Sequence, residues 1–160
     1  KYLLQSKEIV PDCPLTHWHL AGTLDALGYQ GGALRIYTWL LDSKKTAEDD
    51  PCWESATWTD ALKTDCVYRL GICFRNMKKK DKAVHCFRQY IRLLSAGAPG
   101  MYPIQDALQQ ITLLNRVKRA DLEIELQKAT EEVRRETGEQ ANGTDLPKLD
   151  QKKLRQLQEA

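Results

Sequence analysis

The chain has 160 residues, 24 basic and 22 acidic side chains, a formal net charge of +2, 42% apolar and 29% charged residues. That length suits one domain with a sizeable core and a tail. The charge is too small to argue by itself for nucleic acid or an anionic membrane, and no apolar run approaches the roughly 18 residues of a membrane-crossing helix. The opening "KYLLQ", with no initiator Met and no signal-like start, reads as a piece excised from a longer protein.

In chain order, two stretches follow one pattern. Residues 16–43 and 51–95 align at an offset of fifty: Leu20 with Leu70, Ala21 with Gly71, Leu24 with Phe74, Gly28 with Lys78, Ala33 with Ala83, Tyr37 with Phe87 and Leu40 with Tyr90. The second copy is the clearer. Val67, Leu70, Cys73, Phe74 and Met77 recur at three and four residues, which predicts one helix face. A charged turn at 78–82 follows. Ala83, Val84, Phe87, Tyr90, Ile91 and Leu94 then restart the face on a second helix. The spacing predicts an antiparallel helical hairpin in which Gly71 and Ala83 let the backbones approach.

The stretch "SKKTAEDDPCWESATW" separates the copies. Asp50-Pro51 in it is a helix-start signal, Asp as N-cap and Pro in the first turn, so the helix containing Leu70 is expected to begin near Pro51. After the loop "SAGAPGMYP", Ala107, Leu108, Ile111 and Leu114 predict a helix over 103–115 that covers the end of the array. Residues 116–160 hold ten basic and ten acidic side chains and no aromatics. Leu122, Leu126, Ala129 and Val133 form a narrow apolar stripe, so the helix from Ile104 is expected to continue to about Thr137 as a charged tail. A linker at 138–147 and a short helix at 149–157 follow. The sequon Asn142-Gly143-Thr144 is read as chance.

The five cysteines, Cys13, Cys52, Cys66, Cys73 and Cys86, are odd in number and lack Cys-x-x-Cys spacing. They read as reduced thiols of a cytoplasmic or nuclear protein. A zinc site is weighed at Cys13, His17 and His19 and at His85-Cys86, but four ligands at loop-like spacings are missing. No thiol has an evident base and orienting partner, and "GYQGGA" is a helix–helix turn with no Lys-Ser/Thr after it. The expectation is no enzyme, no catalytic residue, no metal and no cofactor.

The Leu-Gly pair, the aromatic three residues on, and the following Ala and Phe resemble the tetratricopeptide repeat, a helix–turn–helix unit of about 34 residues. Residues 67–91 match well and 16–41 more loosely, with Ala21 where Gly is usual; the offset of fifty departs from the family's period. Pro11 falls where a preceding repeat would close, so 2–13 reads as the second helix of a partial upstream repeat. The resemblance implies an all-α fold of stacked hairpins forming a short right-handed solenoid over residues 1–115. The first helix of each repeat would line a concave groove, here through Trp18, Gly22, Asp25 and Ala26, and through Asp65, Tyr68, Ile72, Arg75 and Asn76. The Lys/Asn clamp by which some members hold chaperone tails is absent, with Trp18, Gly22, Tyr68 and Ile72 in its place.

The function expected is a non-catalytic scaffold or adaptor whose groove holds a peptide or helix of a protein partner, of mixed apolar and acidic character. One alternative is RNA binding by a basic edge of Lys78, Lys79, Lys80, Lys82, Arg88 and Arg92. A second is self-association through 116–137. No membrane partner is expected.

Overall fold

A computed structural model describes residues 1–136, and all regular structure among them is helical. The helices are α1 (Tyr2–Ile9), α2 (Pro14–Ala26), α3 (Gln30–Asp42), α4 (Ala56–Asn76), α5 (Lys80–Ser95) and α6 (Ile104–Glu136), with a short 3-10 turn at Pro51–Trp53 between α3 and α4. Residues Lys1–Arg119 form one compact unit and a second begins at Ala120. The linker at 138–147, the helix at 149–157 and the sequon lie outside the described residues.

Within the first unit, α1 packs on α2, α2 on α3, α3 on α4 and α4 on α5. The offset of fifty extends to the backbone. In the α2–α3 turn, Gly28 N–H donates to Asp25 C=O at 3.0 Å and Tyr29 N–H to Leu24 C=O at 2.8 Å. In the α4–α5 turn, Lys78 N–H donates to Arg75 C=O at 3.0 Å and Lys79 N–H to Phe74 C=O at 2.9 Å. Both are the paired bonds that satisfy the last carbonyls of a helix through a left-handed residue. Gly28 adopts φ +85° at no steric cost, whereas Lys78 is held at +63°.

Two apolar clusters lie between the helices. Ala21, Ala33, Tyr37, Leu40, Leu62, Cys66, Leu70 and Cys73 form the first, with Trp53. The second joins Tyr68, Ala83, Phe87 and Tyr90 to Ala107 and Leu114 of α6. The aligned pairs Ala33 and Ala83, Tyr37 and Phe87, and Leu40 and Tyr90 are all buried. Gly71 permits the close crossing of α4 and α5, because a Cβ there would lie 2.8 Å from the Phe87 ring.

The start of α4 differs from the expectation. Asp50 does accept a hydrogen bond, from Cys52 N–H at 2.9 Å, but it caps only the 3-10 turn. Glu54 then adopts φ 47°, which ends that turn, and Ser55 caps α4 by accepting from Trp58 N–H at 3.2 Å. The interruption has a packing role: it buries Trp53 completely, 6.4 Å from the Trp39 ring. In α6, helix continues unbroken from Ile104 to Glu136. Within the second unit, Leu122, Ile124 and Leu126 are exposed.

Candidate partner-binding groove

A groove of about 510 Å³ opens between α2, Arg69 of α4 and the loop before α6. Trp18, His19, Gly22, Thr23 and Ala26 of α2, with Leu27 just after it, form one wall, Tyr37 lies on the floor, and Arg69 and Tyr102 close the other side. Trp18 is half-buried, its ring edge-on to Tyr37 at 5.4 Å. Gly22 lies beside the Tyr37 hydroxyl, which a Cβ at that position would meet at an ordinary 3.8 Å.

Arg69 organises the floor. Its Nη2 donates to Asp25 Oδ2 at 2.6 Å and its Nε to the Tyr37 hydroxyl at 3.1 Å. The Tyr37 phenol is pushed up to about 12, by burial first, against the opposing pull of the guanidinium. Asn76 also donates to Asp25, at 3.3 Å, and Arg75 donates to Asn76 Oδ1 and to Gln110 Oε1, the latter at 2.6 Å. A polar network thus runs from α2 through α4 to α6.

Of the expected positions on α2, Trp18, Gly22 and Ala26 line this groove, and Asp25 lies beneath it, buried and paired. Arg75 and Asn76 remain partly or fully exposed. Ile72 is half-buried and packs against the second cluster. Asp65 and Tyr68 require correction: they are only 5% and 6% exposed, so neither offers a free side chain to a groove.

The reason is the Gly/Pro loop, which folds inward. Tyr102 stacks on Tyr68 with centroids 4.1 Å apart and planes 13° from parallel. Asp65 Oδ1 accepts from Met101 N–H at 2.8 Å and lies 3.4 Å from the Tyr90 hydroxyl. That hydroxyl has a better acceptor in the Tyr102 carbonyl at 2.7 Å. Burial raises the Asp65 carboxyl above its ordinary range, although the Met101 and Tyr90 hydrogen bonds oppose this.

Six of the residues around the groove, His19, Thr23, Leu27, Tyr37, Arg69 and Tyr102, were not among the positions expected from sequence, and Arg69 and Tyr102 matter most to its geometry. For Arg69 a signal existed: a cation beside the core residue Leu70, facing an acidic residue on the aligned α2 row. Tyr102 had none, since loop composition does not say which aromatic turns inward.

On the basic edge, Lys78, Lys79, Lys82, Arg88 and Arg92 are exposed and Lys80 is half-exposed. Lys82 Nζ sits 5.6 Å over the Phe74 ring, and Phe87 is fully buried, so both nearby phenylalanines are engaged in the fold. Burial pushes the Cys66 thiol up and Cys73 to about 12, leaving both protonated and poorly nucleophilic. Among the described residues, no three His, Cys, Asp or Glu side chains are grouped to hold a metal ion. No described helix is long and apolar enough to cross a membrane.

No protein-family model matches this sequence, and neither a curated protein nor a solved structure shows significant similarity to it.

Proposed function

We propose that the chain is a non-catalytic interaction module of the tetratricopeptide-like class, a scaffold or adaptor that holds a segment of a protein partner along α2. The observation that carries this reading is the α2–Arg69–Tyr102 groove, whose walls combine aromatic faces with a guanidinium held in place from two sides. Trp, Tyr and Arg dominate the energetics of protein interfaces. An apolar segment bearing acidic residues fits such walls: its side chains cover Trp18 and Tyr102, and its carboxylates face His19 and the exposed edge of Arg69. The paired helical turns at an offset of fifty support the stacked-hairpin class. The thiols suit a reducing compartment, cytoplasm or nucleus.

The test is capture of a partner by wild-type protein and by an Ala26→Glu variant. Ala26 is exposed on the groove wall, so the added carboxylate blocks the site without disturbing the core. Loss of the partner with an unchanged circular dichroism spectrum supports the groove; retention refutes it. RNA binding at Lys78, Lys79 and Lys82 is the second reading, favoured by their common exposure and opposed by the burial of the aromatic rings that would stack on bases.

A further inference from the structure

The loop between α5 and α6 is held over α4 mainly by its main chain. Met101 is 71% exposed, so its side chain is not what fixes it, yet its N–H donates to the buried Asp65 carboxylate at 2.8 Å. Tyr102 is gripped through both main-chain groups by one side chain. Its N–H donates to the Tyr90 hydroxyl at 3.0 Å, and that hydroxyl donates to its carbonyl at 2.7 Å. The Tyr102 ring lies flat on Tyr68, whereas Phe87 and Tyr90 meet Tyr68 edge-on. The same Tyr102 ring closes one side of the groove.

We propose that Met101–Tyr102 is an internal ligand of the groove. The segment occupies a subsite made by Asp65, Tyr68 and Tyr90, which a partner segment carrying an aromatic residue takes over when the loop swings out. This rests on the groove being the partner site, and it adds the α4 half of that site and the kind of residue that fills it.

Three observations support an occupant that can be exchanged. Hydrogen bonds to main chain are open to any sequence, so the polar part of the subsite accepts any segment that brings an N–H and a C=O to these positions. The flat face of Tyr68 then sets the preference for an aromatic ring. Residues 96–103 belong to neither α5 nor α6, so the loop can leave without unwinding a helix. Gly100, which is not among the groove residues, lets the loop lie this close, because a Cβ there would stand 2.7 Å from the Tyr90 hydroxyl oxygen. As a tethered competitor the loop acts at a roughly millimolar effective concentration. It therefore excludes weakly matched segments and yields to one that also engages Trp18 on the α2 side.

The test is amide hydrogen exchange, read by NMR on the free chain, in wild type and Gly100→Ala. Met101 and Tyr102 should exchange at least about tenfold faster than Leu70 and Cys73 of α4, and Gly100→Ala should add about another tenfold at the first two alone. Exchange of all four through one global opening overturns the proposal, since the loop is then inseparable from the core. A second measurement addresses the subsite: the end-blocked peptide GAPGMYPI, the chain's own residues 97–104, is titrated into Tyr102→Gly. Shifts at Asp65, Tyr68 and Tyr90 are expected, lost when the peptide carries Ala in place of its Tyr and at least about tenfold weaker in wild type, whose own loop competes. Absence of binding to a Tyr102→Gly variant that keeps its helical spectrum overturns the proposal, and the wild-type exchange data decide it without any variant. Neither measurement involves the partner, so a failure here is distinct from a failure of the Ala26→Glu test.

Discussion

Arg69 of α4 and Asp25 of α2, 44 residues apart, meet at 2.6 Å beneath the groove, with the Asp25 side chain 6% and the Arg69 side chain 23% exposed. The pair joins the two aligned helices at the point where the groove is open.

Removing one partner should therefore cost more than a surface pair would. Asp25→Ala leaves a half-buried guanidinium and the Asn76 amide without their acceptor. A fully buried pair broken this way loses about 3–5 kcal/mol, and partial exposure of Arg69 brings the expectation to about 2 kcal/mol. Urea unfolding of Asp25→Ala, Arg69→Met and the double variant checks it. The double variant should be less destabilised than the sum of the singles.

Gly71→Ala should destabilise the chain by about 2–3 kcal/mol, because its Cβ would press on the Phe87 ring between α4 and α5. Combining it with Phe87→Leu should restore part of the loss, since the smaller side chain vacates the contact. Thermal unfolding of both variants reads the difference. Additive losses would show that the crossing is not limited by this contact.

The paired turns make opposite predictions for one substitution type. Lys78 occupies the left-handed position that glycine occupies in the α2–α3 turn. Lys78→Gly should stabilise by about 1 kcal/mol by relieving that strain, and Gly28→Ala should destabilise by a similar amount. Denaturant midpoints at unchanged slope measure both.

Asp65 gives a pH signature. Its folded-state carboxyl is raised by burial above the ordinary value, so the folded chain holds this proton more tightly than the unfolded chain. The contribution to stability is largest below the unfolded pKa of about 4 and is lost as pH rises through the higher folded value. Asp65→Asn retains an oxygen to accept the Met101 N–H but cannot ionise. Its stability relative to wild type should therefore rise between about pH 4 and neutrality, by comparison of unfolding curves across that range. A constant difference would show that Asp65 ionises normally.

The helical hairpins were legible because their signals are local. Ala33 and Ala83, Tyr37 and Phe87, and the two turns each fix a helix face or a turn through neighbours a few residues away. Asp50-Pro51 was expected to start the helix containing Leu70, but Asp50 caps only the 3-10 turn. Which of two nearby caps begins the long helix, however, was decided by Ser55 and by the burial of Trp53, a long-range packing event. The same limit applies to the groove. The α2 positions came only from the resemblance to the tetratricopeptide repeat, and the burial of Tyr68 and Asp65 depends on a loop some thirty-five residues downstream placing Tyr102 on one and the Met101 N–H on the other.

The α2 groove as a protein-binding site is tested most directly by nuclease-treated pull-down with wild-type, Ala26→Glu and Lys78→Glu/Lys79→Glu/Lys82→Glu proteins, read by mass spectrometry and followed by binding of the captured protein's segment in solution. The proposed function predicts a protein partner that survives nuclease, is retained by the triple variant and is lost from Ala26→Glu while that variant keeps its helical spectrum. A partner retained by Ala26→Glu, or one that disappears with nuclease and with the lysine reversals, would contradict it and move the binding surface to the edge of α5.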